Sequence, residues 1–245
     1  MQPLVVCGPS GVGKGTIISR FMEGNNSRQC TTDSFLPKFV FSVSHTTRKP
    51  RVGEVDGVHY HFVSMEFMQD KIDKGGFFIE HALVHGNLYG TSFQSIFDAS
   101  AGVNQQCLLD IDVEGVRSLK NFQHAQQRQR RRRQNMRSTD HLQGQLQGAT
   151  LHQSLPDLQA KFIFITPPSI DILEERLRGR KSETAETLRR RLKNAKAEIE
   201  YGVMTGNFDA IIVNDDLEMA CQEFEKIVNS IYATSYTVME DRLRK

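Results

Sequence analysis

The chain has 245 residues, of which 38% are hydrophobic and 24% charged, with a net charge of +2. That is enough for one large domain or two small ones with a buried core, so wholesale disorder is excluded. No run of about 18 apolar residues occurs, which excludes a membrane-spanning helix, and so balanced a charge does not by itself imply a nucleic-acid partner.

Residues 4–7 form a short apolar run that predicts a buried strand; a glycine-rich segment breaks it, and residues 16–23 suit a helix. The residues before the glycines are too few for a signal peptide. Cys7, Cys30, Cys107 and Cys221 are scattered, with no C-x-x-C pair, which points to a reducing compartment and a cytoplasmic protein. Residues 24–37 are polar and punctuated, a long loop, and residues 39–43 read as a second buried strand. Between 44 and 91 the texture changes to short alternating pieces around Tyr60, His61 and Phe62, frequent glycines and one helix near 64–74. This reads as a small, mostly β subdomain inserted in an α/β core. Residues 106–111 return to the buried-strand pattern, with a helix from Val113.

Residues 123–159 hold ten glutamines, four consecutive arginines at 130–133 and few large apolar side chains. Such a composition cannot offset chain entropy, so a disordered insertion is expected, around which the core closes at small cost. Residues 162–165 predict another strand, then a helix capped by Ser169. Residues 184–201 form the clearest amphipathic helix, with Leu188, Leu192, Ala195 and Ile199 on one face. A strand at 210–213 and a helix at 217–232 close the chain. Strands alternating with helices imply an α/β fold, a mainly parallel sheet flanked by helices.

The segment Gly8-Pro9-Ser10-Gly11-Val12-Gly13-Lys14 lies between a predicted strand and helix, as a phosphate cradle requires. Glycines let backbone N–H groups converge on phosphate oxygens, the helix N-terminus adds its dipole, and Lys14 reaches the terminal phosphates. The hydroxyl expected after the lysine is replaced by Gly15, with Thr16 one place later. Arg48 and Arg51 flank Pro50 ahead of Gly53 and Tyr60, and Asp110 and Asp112 stand at the end of a predicted strand, the edge where ligands sit in open α/β sheets. Histidines 45, 59, 61, 81 and 85 show no metal-ligand spacing and read as surface or pocket-wall residues.

Several separate segments, in order, carry a resemblance: residues 41–54, Phe78-Ile79-Glu80-His81, Gly86-Asn87-Leu88-Tyr89-Gly90-Thr91, residues 109–116 and residues 212–217. In these the chain resembles the guanylate kinases, along nearly its full length apart from the loop before Phe39 and the Gln/Arg-rich insertion. The resemblance implies one guanylate-kinase-like domain: a P-loop core (1–43, 96–122, 160–175, 193–245), a GMP-binding subdomain (44–95) and a mobile lid (about 176–192). It implies an ATP site at Gly8, Ser10, Gly11, Val12, Gly13, Lys14, Gly15 and Thr16, with Arg176 and Asn214. It places Glu80, Ser44, Thr91 and Asp112 at guanine and Arg48, Arg51, Tyr60 and Tyr89 at the acceptor phosphate, with Asp110 beside them. A carboxylate can accept from guanine N1–H and the 2-amino group at once, a charge-assisted pair that adenine does not offer.

The implied activity is phosphoryl transfer from ATP to GMP, with dGMP a further acceptor. Lys14, Arg51, Arg180, Arg191 and Mg²⁺ would neutralise charge on the moving group. Mg²⁺ would be held mainly by ATP phosphates and waters, Thr16 being the one candidate hydroxyl. Two rival readings remain: a catalytically inactive guanylate-kinase-like module that binds proteins, and salt-sensitive nucleic-acid binding through Arg130 to Arg133. The same arginines would also suit a nuclear-import signal.

Overall fold

A computed structural model describes residues 1–28, 36–84, 86–102, 104–139, 157–179 and 184–243. Its centre is a five-stranded sheet in the order β2 (Lys38–Phe41), β7 (Gln105–Asp110), β1 (Leu4–Cys7), β8 (Lys161–Thr166) and β9 (Ala210–Val213). All four pairings are parallel, with Val5 facing Leu109 on one side and Phe162 on the other. Strands buried on both faces need apolar residues at every position, which is why they read as continuous runs rather than alternations.

Successive side chains divide between two layers. Leu4, Val6, Leu108, Ile163 and Ile212 pack with Ile17 and Phe21 of α1 (Lys14–Arg28) and with Phe224, Val228 and Tyr232 of α7 (Leu217–Leu243). Val5, Cys7, Leu109, Phe162 and Phe164 pack on the opposite face. There they meet Ile96 and Ala99 of α3 (Phe93–Ser100) and Val116 and Leu119 of α4 (Val113–Thr139). Full burial of each such side chain contributes about 1.5–3 kcal/mol. A third cluster, Leu173, Leu177, Leu188 and Ala195, joins α5 (Ile170–Gly179) to α6 (Ala185–Val203). Thr184 caps α6, its hydroxyl accepting from the Thr187 amide.

The inserted subdomain is a four-stranded sheet: β4 (His61–Phe62), β3 (His45–Thr46), β6 (Asn87–Ser92) and β5 (Phe78–Val84), in that order. One helix, α2 (Met65–Lys74), lies beside it, capped by Ser64. His45 is not a surface or pocket-wall residue. It is buried among Phe67, Phe77, Phe78 and His61, and burial pushes its imidazole down to about 4.

The largest departure from sequence expectation is in the Gln/Arg-rich stretch. Its first part is not disordered: α4 continues through it to Thr139. Gln123 is buried and donates to the Leu158 carbonyl at 3.2 Å, Gln126 accepts from the Leu158 amide, and Arg130 pairs with Asp157 at 2.6 Å. Glutamine and arginine are strong helix formers. One buried leucine, Leu158, ties the far flank of the stretch to the core. Composition averaged over 37 residues hides that anchor. The remainder, 140–156, lies outside the described residues. Helix α1 likewise runs on through Gly24, where a loop was expected, and α3 is a helix that the sequence reading omits. No described helix is long and apolar enough to cross a membrane.

Candidate functional site

The loop from β1 to α1 is held by backbone geometry. Gly8, Gly11 and Gly13 have φ of +152°, +94° and +99°, values that disfavour any other residue. A Cβ on Gly8 would lie 2.1 Å from the Ile165 carbonyl oxygen, and one on Gly13 would lie 2.6 Å from Asn214 Nδ2. Val12 is buried and anchors the loop, its carbonyl accepting from Asn214 Nδ2 at 2.7 Å. The N-terminal end of α1 adds its partial positive charge to whatever the loop encloses. Lys14 Nζ donates to the Gly8 carbonyl at 2.6 Å and stands 3.9 Å from Asp110 Oδ1 at the end of β7. Thr16 and Gly15 are exposed.

Across the sheet edge, β5 and β6 bring Glu80 opposite Thr91, whose hydroxyl lies 3.2 Å from Ser44 Oγ. Glu80 is 4% exposed. Burial pushes its carboxyl up to about 7, against the hydrogen bond from Thr91 and with help from the Asp112 charge. Asp110 and Asp112 are also raised by burial, and Lys14 opposes the shift at both. Asp112 Oδ1 accepts from the Gly115 amide at 2.8 Å, so it caps α4 while facing the site. Burial pushes the Tyr60 phenol up to about 12; its ring meets Tyr89 edge-on at 5.9 Å.

The two halves share one cavity of about 260 Å³. Gly8, Ser10 and Lys14 line it from the loop, Asp110 and Asp112 from the sheet edge, and Ser44, Arg51, Tyr60, Glu80 and Tyr89 from the small subdomain. Arg191 of α6 closes it, its Nη1 donating to Ser10 Oγ at 3.2 Å. A cavity lined by Lys14, Arg51 and Arg191 and by a buried carboxylate suits a phosphate-bearing ligand with adjacent N–H donors.

Arg48, Arg176 and Asn214, also expected at the site, make contacts within the protein here. Arg48 is not among the cavity-lining residues. Both its terminal nitrogens bond Glu54 at 2.9 Å and its guanidinium lies over the Tyr60 ring, so it braces the loop that carries Arg51. Arg176 donates to the carbonyls of Asn214 and Asp215 and ties α5 to the end of β9. Asn214 is 4% exposed and staples the loop through its bond to the Val12 carbonyl. Arg180 lies outside the described residues.

Sequence reasoning missed Glu198, which lines the cavity from α6 and whose carboxyl is raised by burial with Lys14 opposing. Its signal was available: it lies two helical turns after Arg191, on the same face. Among the described residues no group of three His, Cys, Asp or Glu is arranged to hold a bare metal ion. The cavity's acidic groups, Asp110, Asp112 and Glu198, are hard oxygen acceptors suited to the water ligands of a hydrated divalent cation.

Comparison with known proteins agrees with this geometry. The family described as guanylate kinase matches residues 1–128 and 135–231. Guanylate kinase 1 of Oryza sativa subsp. japonica is 39% identical over 228 residues, 93% of this chain. The guanylate kinase of Schizosaccharomyces pombe is 40% identical over 227 residues, which is 93% of this chain and 90% of that one. The chain spans about half the length of two plant relatives, 48% of the Oryza sativa protein and 47% of guanylate kinase 1 of Arabidopsis thaliana. The crystal structure of guanylate kinase from Anaplasma phagocytophilum superposes with a TM-score of 0.56 at 27% identity, covering 94% of this chain and 86% of that one. A family match over nearly all of the sequence, joined to relatives of this identity and span, makes the chain a member of the guanylate kinase family.

Proposed function

We propose that the protein transfers the γ-phosphoryl group of ATP to the phosphate of GMP, giving ADP and GDP. The observation that carries this is one cavity lined both by the cations Lys14, Arg51 and Arg191 and by the buried carboxylate of Glu80. Guanine N1–H and the 2-amino group both donate to an ionised Glu80, and hydrogen bonds to the charged form pull its raised carboxyl back down. Thr91 and Ser44 set that carboxylate's direction. Arg51, Tyr60 and Tyr89 hold the acceptor phosphate.

Lys14 exchanges the Gly8 carbonyl for the terminal phosphates of ATP. An oxygen of the GMP phosphate, already ionised, forms the bond to Pγ. The bridging P–O bond breaks, and its electron pair leaves on ADP, so no general base is needed. Arg191, with Arg180 from outside the described residues, spreads the charge that develops. A bound Mg²⁺ supplies further charge neutralisation on the phosphates. Asp110, Asp112 and Glu198 would hold it through its waters. Lys14, Arg51 and Arg191 in one cavity speak against the catalytically inactive module. The free thiols Cys7, Cys107 and Cys221 suit the reducing cytosol, where GMP and ATP are available.

The test is a coupled assay for ADP with GMP, dGMP, AMP and UMP as acceptors. GMP and dGMP should turn over, and AMP and UMP should be slower by at least about 100-fold, as for a buried polar group left unpaired. Equal rates with AMP would overturn the assignment of Glu80, and no rate with any acceptor would overturn the activity.

A further inference from the structure

Gly115 stands in the first turn of α4, directly behind the carboxylate that meets the base. A Cβ at this position would lie 2.7 Å from Glu80 Oε2, 3.2 Å from Ile111 Cβ and 3.3 Å from Asp112 Oδ1. Its backbone gives no reason for a glycine: it lies within a helix and has no positive φ. Glycine weakens a helix there, and alanine is the better helix former. By contrast, Gly24, within α1, has nothing within 4 Å of where a Cβ would stand. What Gly115 provides is therefore space, and Glu80 takes it up.

We propose that Gly115 is a specificity-determining positioning residue. By lacking a side chain, it lets the Glu80 carboxylate seat against the first turn of α4, beside Asp112, in the position from which it accepts both guanine donors. The inference rests on the reading of Glu80 as the guanine acceptor. The helix end contributes as well: partial positive charge at the first turn favours two neighbouring carboxylates that burial otherwise disfavours. The atom met at 2.7 Å is the tip of a flexible side chain, so the fold can take a methyl group at 115 by turning Glu80 aside. Folding should survive while base recognition suffers.

The experiment compares the wild type with G115A, E80A and G115A/E80A. Steady-state kinetics use GMP and IMP, which lacks the 2-amino group, and thermal melts accompany them. G115A should melt within a few degrees of the wild type. It should raise KM for GMP by about tenfold, leave KM for ATP within about twofold and shrink the preference for GMP over IMP, as expected when one buried hydrogen bond is lost. With Glu80 already truncated there is nothing left to displace, so G115A/E80A should match E80A within about twofold.

An unfolded G115A overturns the proposal. So does a G115A with unchanged GMP kinetics beside an impaired E80A, or a G115A loss that persists in full in the E80A background. A silent E80A is a different failure: it removes Glu80 from the base site, and with it the ground for this inference.

Discussion

On the proposed reading, the cavity has a phosphate half and a base half, and the two are built on opposite principles. The phosphate half is made of backbone: a glycine loop seated on parallel strands, anchored by Val12 and stapled by Asn214, with Lys14 its principal charge. The base half is made of side chains on a thin four-stranded sheet, and its central group is an acid that burial pushes up to about 7. Amides aimed by a turn recognise any phosphate at little cost to stability. Choosing guanine through Glu80 instead uses a buried ionisable group, which destabilises the empty protein. Selectivity and fold stability should therefore trade off in the base half and not in the phosphate half.

The sharpest test of the phosphate half is Lys14→Met. It removes the one side-chain cation of the loop, so kcat should fall by at least about 100-fold, the scale for losing one charge-stabilising donor in a transition state. KM for GMP and the melting temperature should stay near wild type. A matching loss of GMP binding would show that the two halves are not separable.

Glu80→Gln should show the trade-off directly. It loses charge assistance and presents a donor to a donor, so kcat/KM for GMP should drop by at least about tenfold. Stability should move the other way. The folded carboxyl titrates near 7 against an ordinary 4.5, so the wild type keeps this group's full contribution below pH 4.5 and loses it as pH rises through 7. At pH 8 the variant should therefore be more stable, by at most about 3 kcal/mol, with the difference vanishing near pH 4. Denaturant melts at the two pH values read this, and a variant less stable at pH 8 would break the comparison.

What sequence could show follows the same division. Continuous apolar strands and the glycine loop are local patterns, so the core sheet and the loop that carries Lys14 were legible, and the order of short segments around Glu80, Thr91 and Asp112 was enough to identify the family. Partnerships that the chain makes only in three dimensions were not legible. Glu54, six residues after Arg48, takes up a guanidinium expected at phosphate. Asn214, at a strand end where ligands usually sit, donates to the Val12 carbonyl of the loop. A single leucine, Leu158, outweighs the composition of the glutamine-rich stretch and orders its flanks.

Asn214→Ala should have a middling effect. It leaves the buried Val12 carbonyl without its donor, a loss of about 1–3 kcal/mol that a melt would register. KM for ATP should rise a few-fold through loosening of the loop, and GMP selectivity should hold. Lost GMP selectivity with an unchanged melt would mean that Asn214 serves the base half rather than the phosphate half.

The smallest effect is expected at Thr16. Gly15 replaces the hydroxyl that usually follows the loop lysine, and Thr16 is exposed, its amide donating to the Gly13 carbonyl at 3.1 Å. A phosphate half built from backbone should not need this side chain, and a hydrated Mg²⁺ can be kept by ATP phosphates and waters. Thr16→Val should therefore retain kcat within about threefold, with the same midpoint in a Mg²⁺ titration, while chelation with EDTA abolishes turnover in both proteins. The factor of three is the scale of one exposed hydrogen bond, which contributes about 0.5–1 kcal/mol. A folded but inactive Thr16→Val would put a side chain at the centre of the phosphate half, and the contrast between backbone recognition of phosphate and side-chain recognition of base would fall with it.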